Sequence, residues 1–262
     1  MIKLNDKQVD LNYFPDGTFL IKEEAPEGPV TLTWLFENNE EMLALYFITK
    51  HLQARGVEKI SLKMPYIPNA RQDRVKVPED VFTLKYFAEL INSLKFHKVT
   101  VLDPHSYVSE ALFEYLEIQT PKKYVEKVLE KIDTDKLMLF FPDEGAMKRY
   151  NNMFALPYAF GMKKRDWATG QIRGLDVTGQ TEVIPGSTVL IVDDICSKGG
   201  TFYYSAKALK ELGAKEVYLY ISHCENSIFE GDLLKTDLVD KVFTTNSIFT
   251  KEHEKVEVFD YE

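Results

Sequence analysis

The stretch VLIVDDICSKGGTF, residues 189–202, reads as a buried strand, two carboxylates, a glycine-bearing turn and the start of a helix. Residues 189–192 are a β-branched run of the kind that a parallel sheet covers on both faces. Asp193 and Asp194 follow at the strand's carboxyl end, where open α/β sheets hold their ligands. Ser197, Lys198, Gly199, Gly200 and Thr201 can wrap backbone N–H groups around an anion, and a helix over 201–212 would aim its positive end there. Gly199 and Gly200 let the backbone approach closely because no Cβ intervenes. A lone Gly-Gly would be an ordinary βα turn. Two adjacent acids followed by Ser-Lys-Gly-Gly-Thr point instead to a phosphate held by the turn and sugar hydroxyls held by the aspartates.

The whole chain sets bounds on that reading. Its 262 residues suffice for two α/β domains, each with a core. Hydrophobic residues at 45% and charged residues at 28% describe a soluble globular protein. No apolar run approaches the roughly 18 residues of a membrane span, and the N-terminal MIKLNDKQVDLNYF lacks a signal pattern. Two cysteines, Cys196 and Cys224, are too few for a disulfide framework and fit a reducing cytoplasm. Cys196 is read as a packing residue. A net charge of −9 argues against nucleic acid as a partner, while basic clusters at 71–76 and 163–165 can still serve a small phosphate ligand in a cleft.

Strands and helices alternate, which predicts an α/β fold with mainly parallel sheets. Helices are expected over 40–53, 79–94, 107–116 and 122–131, and near Met147. Strands are expected over 59–64, 99–102, 137–141, 158–162 and 217–222, and near Val242. The polar, glycine-containing stretch 165–185 reads as a mobile loop or a hairpin. A division near residue 135 gives domains 1–135 and 136–262.

Four more strand ends carry chemistry. In KISLKMPYIPNARQDRVKVPED, Pro65 and Pro68 stiffen a loop that presents Arg71, Gln72 and Arg74. Arg71 offers a planar fork to phosphate and Gln72 can meet a base edge, although a solvated charged turn explains the segment equally well. In KVTVLDPHS, Asp103 and His105 follow a strand; the histidine is either a cation or phosphate ligand or a structural residue. In KLMLFFPDEGAMKRY, Asp143 and Glu144 can serve Mg²⁺, cap a helix, or do both. In YAFGMKKRD, Lys163, Lys164 and Arg165 are either a surface run or a cationic loop that closes over transferring phosphoryl groups.

The 193–201 loop resembles the phosphoribosyl-diphosphate loop of the type I phosphoribosyltransferase fold. YIPNARQDR, VTVLDPHS, FPDEGAMKR, the Lys163–Arg165 triplet and DDICSKGGT, in this order, resemble the ribose-phosphate diphosphokinase family. The likeness runs over residues 12–250, and the wording is closest to the family's compact, divergent members. It implies two tandem type I phosphoribosyltransferase-like domains, 1–135 on the ATP side and 136–262 on the ribose 5-phosphate side, with the active site between them. It implies transfer of diphosphate from ATP to the C1 hydroxyl of ribose 5-phosphate, with Mg²⁺ as cofactor and a homo-oligomer of at least two subunits. By the same resemblance Arg71, Gln72 and Asp16 bind ATP, while His105 and Asp143 serve the metal. Asp193 and Asp194 hold the ribose hydroxyls, Ser197 to Thr201 cradle the 5-phosphate, and Lys163 and Arg165 are catalytic.

Three departures from the family pattern stand out. Thr18 replaces an acidic residue after Asp16-Gly17, Ser197-Lys198 replaces Asp-Thr, and the chain stops after VEVFDYE, short of a C-terminal helix. These changes imply assembly and regulation different from the family's common hexamer. Two rivals share the 193–201 loop: a phosphoribosyltransferase acting on a nucleobase or nicotinamide, and a non-catalytic regulatory homologue. YIPNARQDR fits neither the first rival nor its half-length, and the presence of Lys163, Arg165, His105 and Asp143 speaks against the second.

Overall fold

The computed structural model describes residues 1–132, 134–165 and 172–262, apart from the side chains of 163–165 and 172–174. Met1–Thr120 form one unit and Pro121–Glu262 a second.

The first unit is built on strands β1 (Ile2–Leu4), β2 (Lys7–Gln8), β5 (Val30–Trp34), β6 (Ile60–Lys63), β7 (Lys98–Leu102) and β8 (Leu116–Gln119). They form a six-stranded sheet in the order β2-β1-β5-β6-β7-β8, parallel from β5 to β8. A short hairpin of β3 (Asn12–Tyr13) and β4 (Phe19–Leu20) stands apart from it. Helices α1 (Glu40–Ala54), α2 (Thr83–Ser93) and α3 (Val108–Leu112) complete the unit. Leu45, Ile48 and Leu52 of α1 and Leu84, Phe87 and Ile91 of α2 recur at helical spacing and are buried with Leu32, Trp34 and Leu62 of the sheet.

Two helices are shorter than their periodicity predicts. The Asp80 carboxylate accepts the Lys76 and Val77 amides at 2.8 and 3.1 Å, so the first residues of the expected 79–94 helix are spent in a turn. The expected 107–116 helix stops at Leu112, because Phe113 is extended and Tyr115 takes φ +54°. The chain then enters β8, a strand too short for its periodicity to announce.

The second unit has a seven-stranded sheet in the order β11-β10-β9-β12-β13-β14-β15. Its strands are β9 (Leu137–Phe141), β10 (Tyr158–Arg165), β11 (Ile172–Gly179), β12 (Thr188–Cys196), β13 (Glu216–Cys224), β14 (Lys241–Thr245) and β15 (Val256–Phe259), with helices α4 (Lys122–Leu129), α5 (Glu144–Tyr150) and α6 (Gly200–Glu211). All neighbours run parallel except β10 and β11, an antiparallel hairpin in the stretch read as loop or hairpin.

The contacts divide the chain before α4, ahead of the expected residue 135. Tyr124 of α4 is fully buried, with its ring 6.2 Å from that of Phe259. Lys123 Nζ donates to the Glu262 carbonyl at 2.9 Å. These contacts tie α4 to the second unit.

Candidate active site

From β9 the chain moves to β10 on one side, and from β12 it moves to β13 and β14 on the other. The sheet therefore reverses its winding between β9 and β12, the place where open α/β sheets hold ligands beyond the strands' carboxyl ends. The strand expected over 189–192 in fact continues to Cys196, so Asp193 and Asp194 lie within β12. Pairing with β9 ends at Ile191–Phe140, whereas pairing with β13 runs on to Cys196–Cys224. The two carboxylates of β12 thus lie beyond the end of its pairing with β9.

Arg149, in the last turn of α5, reaches into this region. Its Nη2 lies 2.7 Å from Asp194 Oδ1 and 3.4 Å from Asp193 Oδ1. The guanidinium also covers the Tyr150 ring at 5.1 Å. Burial, followed by the charge of Asp194, pushes the Asp193 carboxyl well above the usual range, and Arg149 opposes the shift. Sequence reasoning missed Arg149, because a cation in a helix's last turn is already explained by the helix dipole. Asp143 caps α5: its Oδ1 accepts the Ala146 amide at 3.1 Å.

The phosphate-loop segment lies directly after β12. Gly199 is in the left-handed region at φ +79° and is the N-cap of α6, which starts at Gly200. Among the described residues no side chain caps this helix, whose first N–H groups are of the kind that can hold an anion. Ser197 Oγ meets Ser227 Oγ at 3.1 Å, and Lys198 Nζ meets Glu230 Oε2 at 2.8 Å. Cys196, as expected of a packing residue, is buried and free.

In the first unit, the loops after β6 and β7 meet through Asp73. Tyr66, Ile67 and Ala70 are buried anchors, which leaves Arg71 and Gln72 exposed. Asp73 is buried between them and Arg74, whose Nε and Nη2 donate to its two carboxylate oxygens at 2.7 and 2.8 Å. Hydrogen bonds from Arg74 and then Ser106, with nearby His105, hold its carboxyl at about 2 against the cost of burial. The Arg74 fork is thereby engaged within the chain, although the side chain itself is exposed. Gln72 is also engaged, accepting the Thr83 hydroxyl at the start of α2. His105 is exposed, two residues beyond Asp103, which turns the chain at φ +42°.

Asp16 lies at the tip of the β3–β4 hairpin. Its Oδ1 accepts the Thr18 amide at 2.9 Å and the Thr18 hydroxyl at 2.7 Å, and the hydroxyl bond leads in lowering the carboxyl's pKa. The unusual Thr18 therefore closes an Asx turn on the residue expected to bind ATP.

Residues 154–257 match the phosphoribosyl transferase domain. The ribose-phosphate pyrophosphokinase of Pyrococcus abyssi is 28% identical, over 97% of this chain and 88% of its own. That of Bradyrhizobium diazoefficiens is 32% identical, over 72% of this chain and 60% of its own. The chain is similar to ribose-phosphate pyrophosphokinases along both of its units. A phosphoribosylpyrophosphate synthetase from Mycobacterium smegmatis shares the fold, with a TM-score of 0.80 at 19% identity over 97% of this chain and 86% of that one.

The family's sequence markers fall on both units. Arg71, Gln72, Asp16 and His105 belong to the first, and Asp143 with residues 193–201 to the second. The backbone of Lys163 and Arg165 lies in β10, and their side chains fall outside the described residues. Among the described residues, no three or more His, Cys, Asp or Glu side chains are gathered for a metal.

Proposed function

We infer that the chain is a ribose-phosphate diphosphokinase, which transfers diphosphate from ATP to ribose 5-phosphate and yields phosphoribosyl diphosphate and AMP. The observation that carries this reading is the extent of the match: a ribose-phosphate pyrophosphokinase aligns over 97% of the chain, both units included. A lone phosphoribosyltransferase domain accounts for residues 154–257 and leaves YIPNARQDR unexplained.

In the reaction, the C1 hydroxyl oxygen of ribose 5-phosphate attacks the β-phosphorus of ATP in line. The bond to the α–β bridging oxygen breaks, AMP leaves with that electron pair, and the hydroxyl proton passes to solvent. Asp193 and Asp194 accept hydrogen bonds from the ribose hydroxyls, with Arg149 fixing the Asp194 carboxylate. Ser197, Lys198, Gly199, Gly200 and Thr201, at the start of α6, hold the 5-phosphate. Arg71, Gln72 and Asp16 contact the nucleotide, and Lys163 and Arg165 neutralise the transferring group.

The donor set of Asp143 suits Mg²⁺: a hard carboxylate at a strand end, with one oxygen on the Ala146 amide, is the single protein ligand such ions commonly take beside phosphates and water. Asp143 and His105 are the residues that would hold Mg²⁺, which when bound supplies charge neutralisation on the phosphates.

A homo-oligomer of at least two subunits is the assembly we propose, in the cytoplasm. Exposed Tyr13 and Phe14 on the hairpin and Leu43 and Phe47 on α1 support a subunit interface, because they leave apolar surface in water. Among the described residues no helix is long and apolar enough to cross a membrane.

The decisive experiment is AMP release from ATP and Mg²⁺, with and without ribose 5-phosphate. Sugar-dependent AMP, with phosphoribosyl diphosphate trapped by a coupled transferase, is the expected result. Binding of either substrate without AMP release would move the case to a transferase or a regulatory homologue. Lys163→Ala should abolish turnover while ATP affinity, read by calorimetry, stays within a few-fold; unchanged turnover would remove Lys163 from the mechanism.

A further inference from the structure

An acidic segment, residues 225–232, is packed against the loop proposed to bind a dianion. A Cβ on Gly231 would lie 1.8 Å from the Lys198 carbonyl oxygen, so the two backbones are in direct contact. A Cβ on Gly199 would meet the Leu233 side chain at 3.0 Å. Ser197 joins Ser227, and Ser227 donates to Glu225 Oε2 at 2.9 Å. Glu230 Oε2 takes the Lys198 ammonium at 2.8 Å. That bond raises the lysine's pKa and lowers the glutamate's.

The charges in this arrangement are ordered. Lys198 is a cation inside the proposed phosphate loop, and its partner is a carboxylate brought there by the contact at Gly231. An incoming phosphate must compete with that carboxylate for the ammonium. Both side chains are well exposed, at 65% and 62%, so the pair is weak enough to exchange.

We propose that Glu230 sets the affinity for the sugar phosphate: it pairs with Lys198 and yields the ammonium when the 5-phosphate binds. The proposal rests on the loop being the ribose 5-phosphate site. Affinity for the sugar phosphate is thereby set below the value the loop alone would give.

The test is calorimetry of ribose 5-phosphate on the full chain, with wild type, Glu230→Gln, Lys198→Met and the double variant, and ATP affinity as reference. The exposure of both side chains lets every variant fold. Glu230→Gln should tighten ribose 5-phosphate about two- to fivefold, the range of an exposed ion pair, with ATP affinity unmoved. In the Lys198→Met background the same substitution should change little. Weaker binding in Glu230→Gln would make Glu230 a loop support and overturn the proposal. An equal gain with and without Lys198 would overturn it too, leaving plain repulsion between Glu230 and the ligand. Absence of ribose 5-phosphate binding in wild type would instead overturn the functional reading and this inference with it.

Discussion

Arg149 and Asp73 show what single side chains contribute to the two strand-end sites. Arg149 is 16% exposed and Asp194 4%, so removing the guanidinium strands a buried charge. Arg149→Met should cost on the order of 3 kcal/mol of stability, read as a shift in urea midpoint. Arg149→Lys should recover less than half, because an ammonium lacks the planar fork. Asp73 sets an acid limit. Its carboxyl is lowered from 3.8 to about 2, so its contribution is complete above pH 4 and disappears as pH falls through 2. Asp73→Asn should remove on the order of 2 kcal/mol from the neutral-pH stability and flatten its decline between pH 4 and 2; parallel wild-type and variant curves would refute this. The strand, turn and helix that carry residues 193–201 were legible in the sequence because glycines beside paired acids have a narrow chemical meaning. Arg149, Asp73 and Glu230 were not, since each acquires its role from a partner distant in the chain or from burial.

At the level of elements, α5 separates two duties of one side chain. Asp143→Asn keeps a good N-cap and discards the charge, whereas Asp143→Ala discards both. The first should leave the thermal midpoint nearly unchanged yet impair Mg²⁺-dependent turnover, and the second should also lose about 1 kcal/mol. Equal turnover in Asp143→Asn and wild type would leave Asp143 a cap alone. Periodicity located α1 and β9 closely because their burial patterns are regular. It overran α2 because the Asp80 turn is a side-chain decision. It missed β8 and β15 because, unlike the equally short β6, neither alternates regularly between buried and less buried residues. It stopped β12 at Val192 because the aspartates are polar, whereas parallel pairing with β13 carries the strand on to Cys196.

At the scale of the molecule, and among the described residues, the two hydrophobic cores share no residue: one draws on Ile2 to Phe113 and the other on Met138 to Val256. Residues 121–262 expressed alone should therefore melt cooperatively by circular dichroism and bind ribose 5-phosphate within a few-fold of the full chain. A non-cooperative melt would show that this unit's core is insufficient by itself. The α/β class and the presence of two units were readable from alternation and length. The position of the division was not, because no linker composition marks Thr120–Pro121 and the docking of Tyr124 on Phe259 is a tertiary event.

The contacts that brace the turn after β12 have a consequence for how a ligand is captured. Ser227, Gly231 and Leu233 already press on residues 197–199, so that turn gave up its conformational freedom when the chain folded. A sugar phosphate bound there, as proposed, would meet N–H groups that need no ordering, and its arrival would be governed by encounter and ion exchange instead of by a slow closing step. Sequence drift at 227, 231 or 233, far along the chain from the aspartates, would then surface as slower association rather than as altered chemistry.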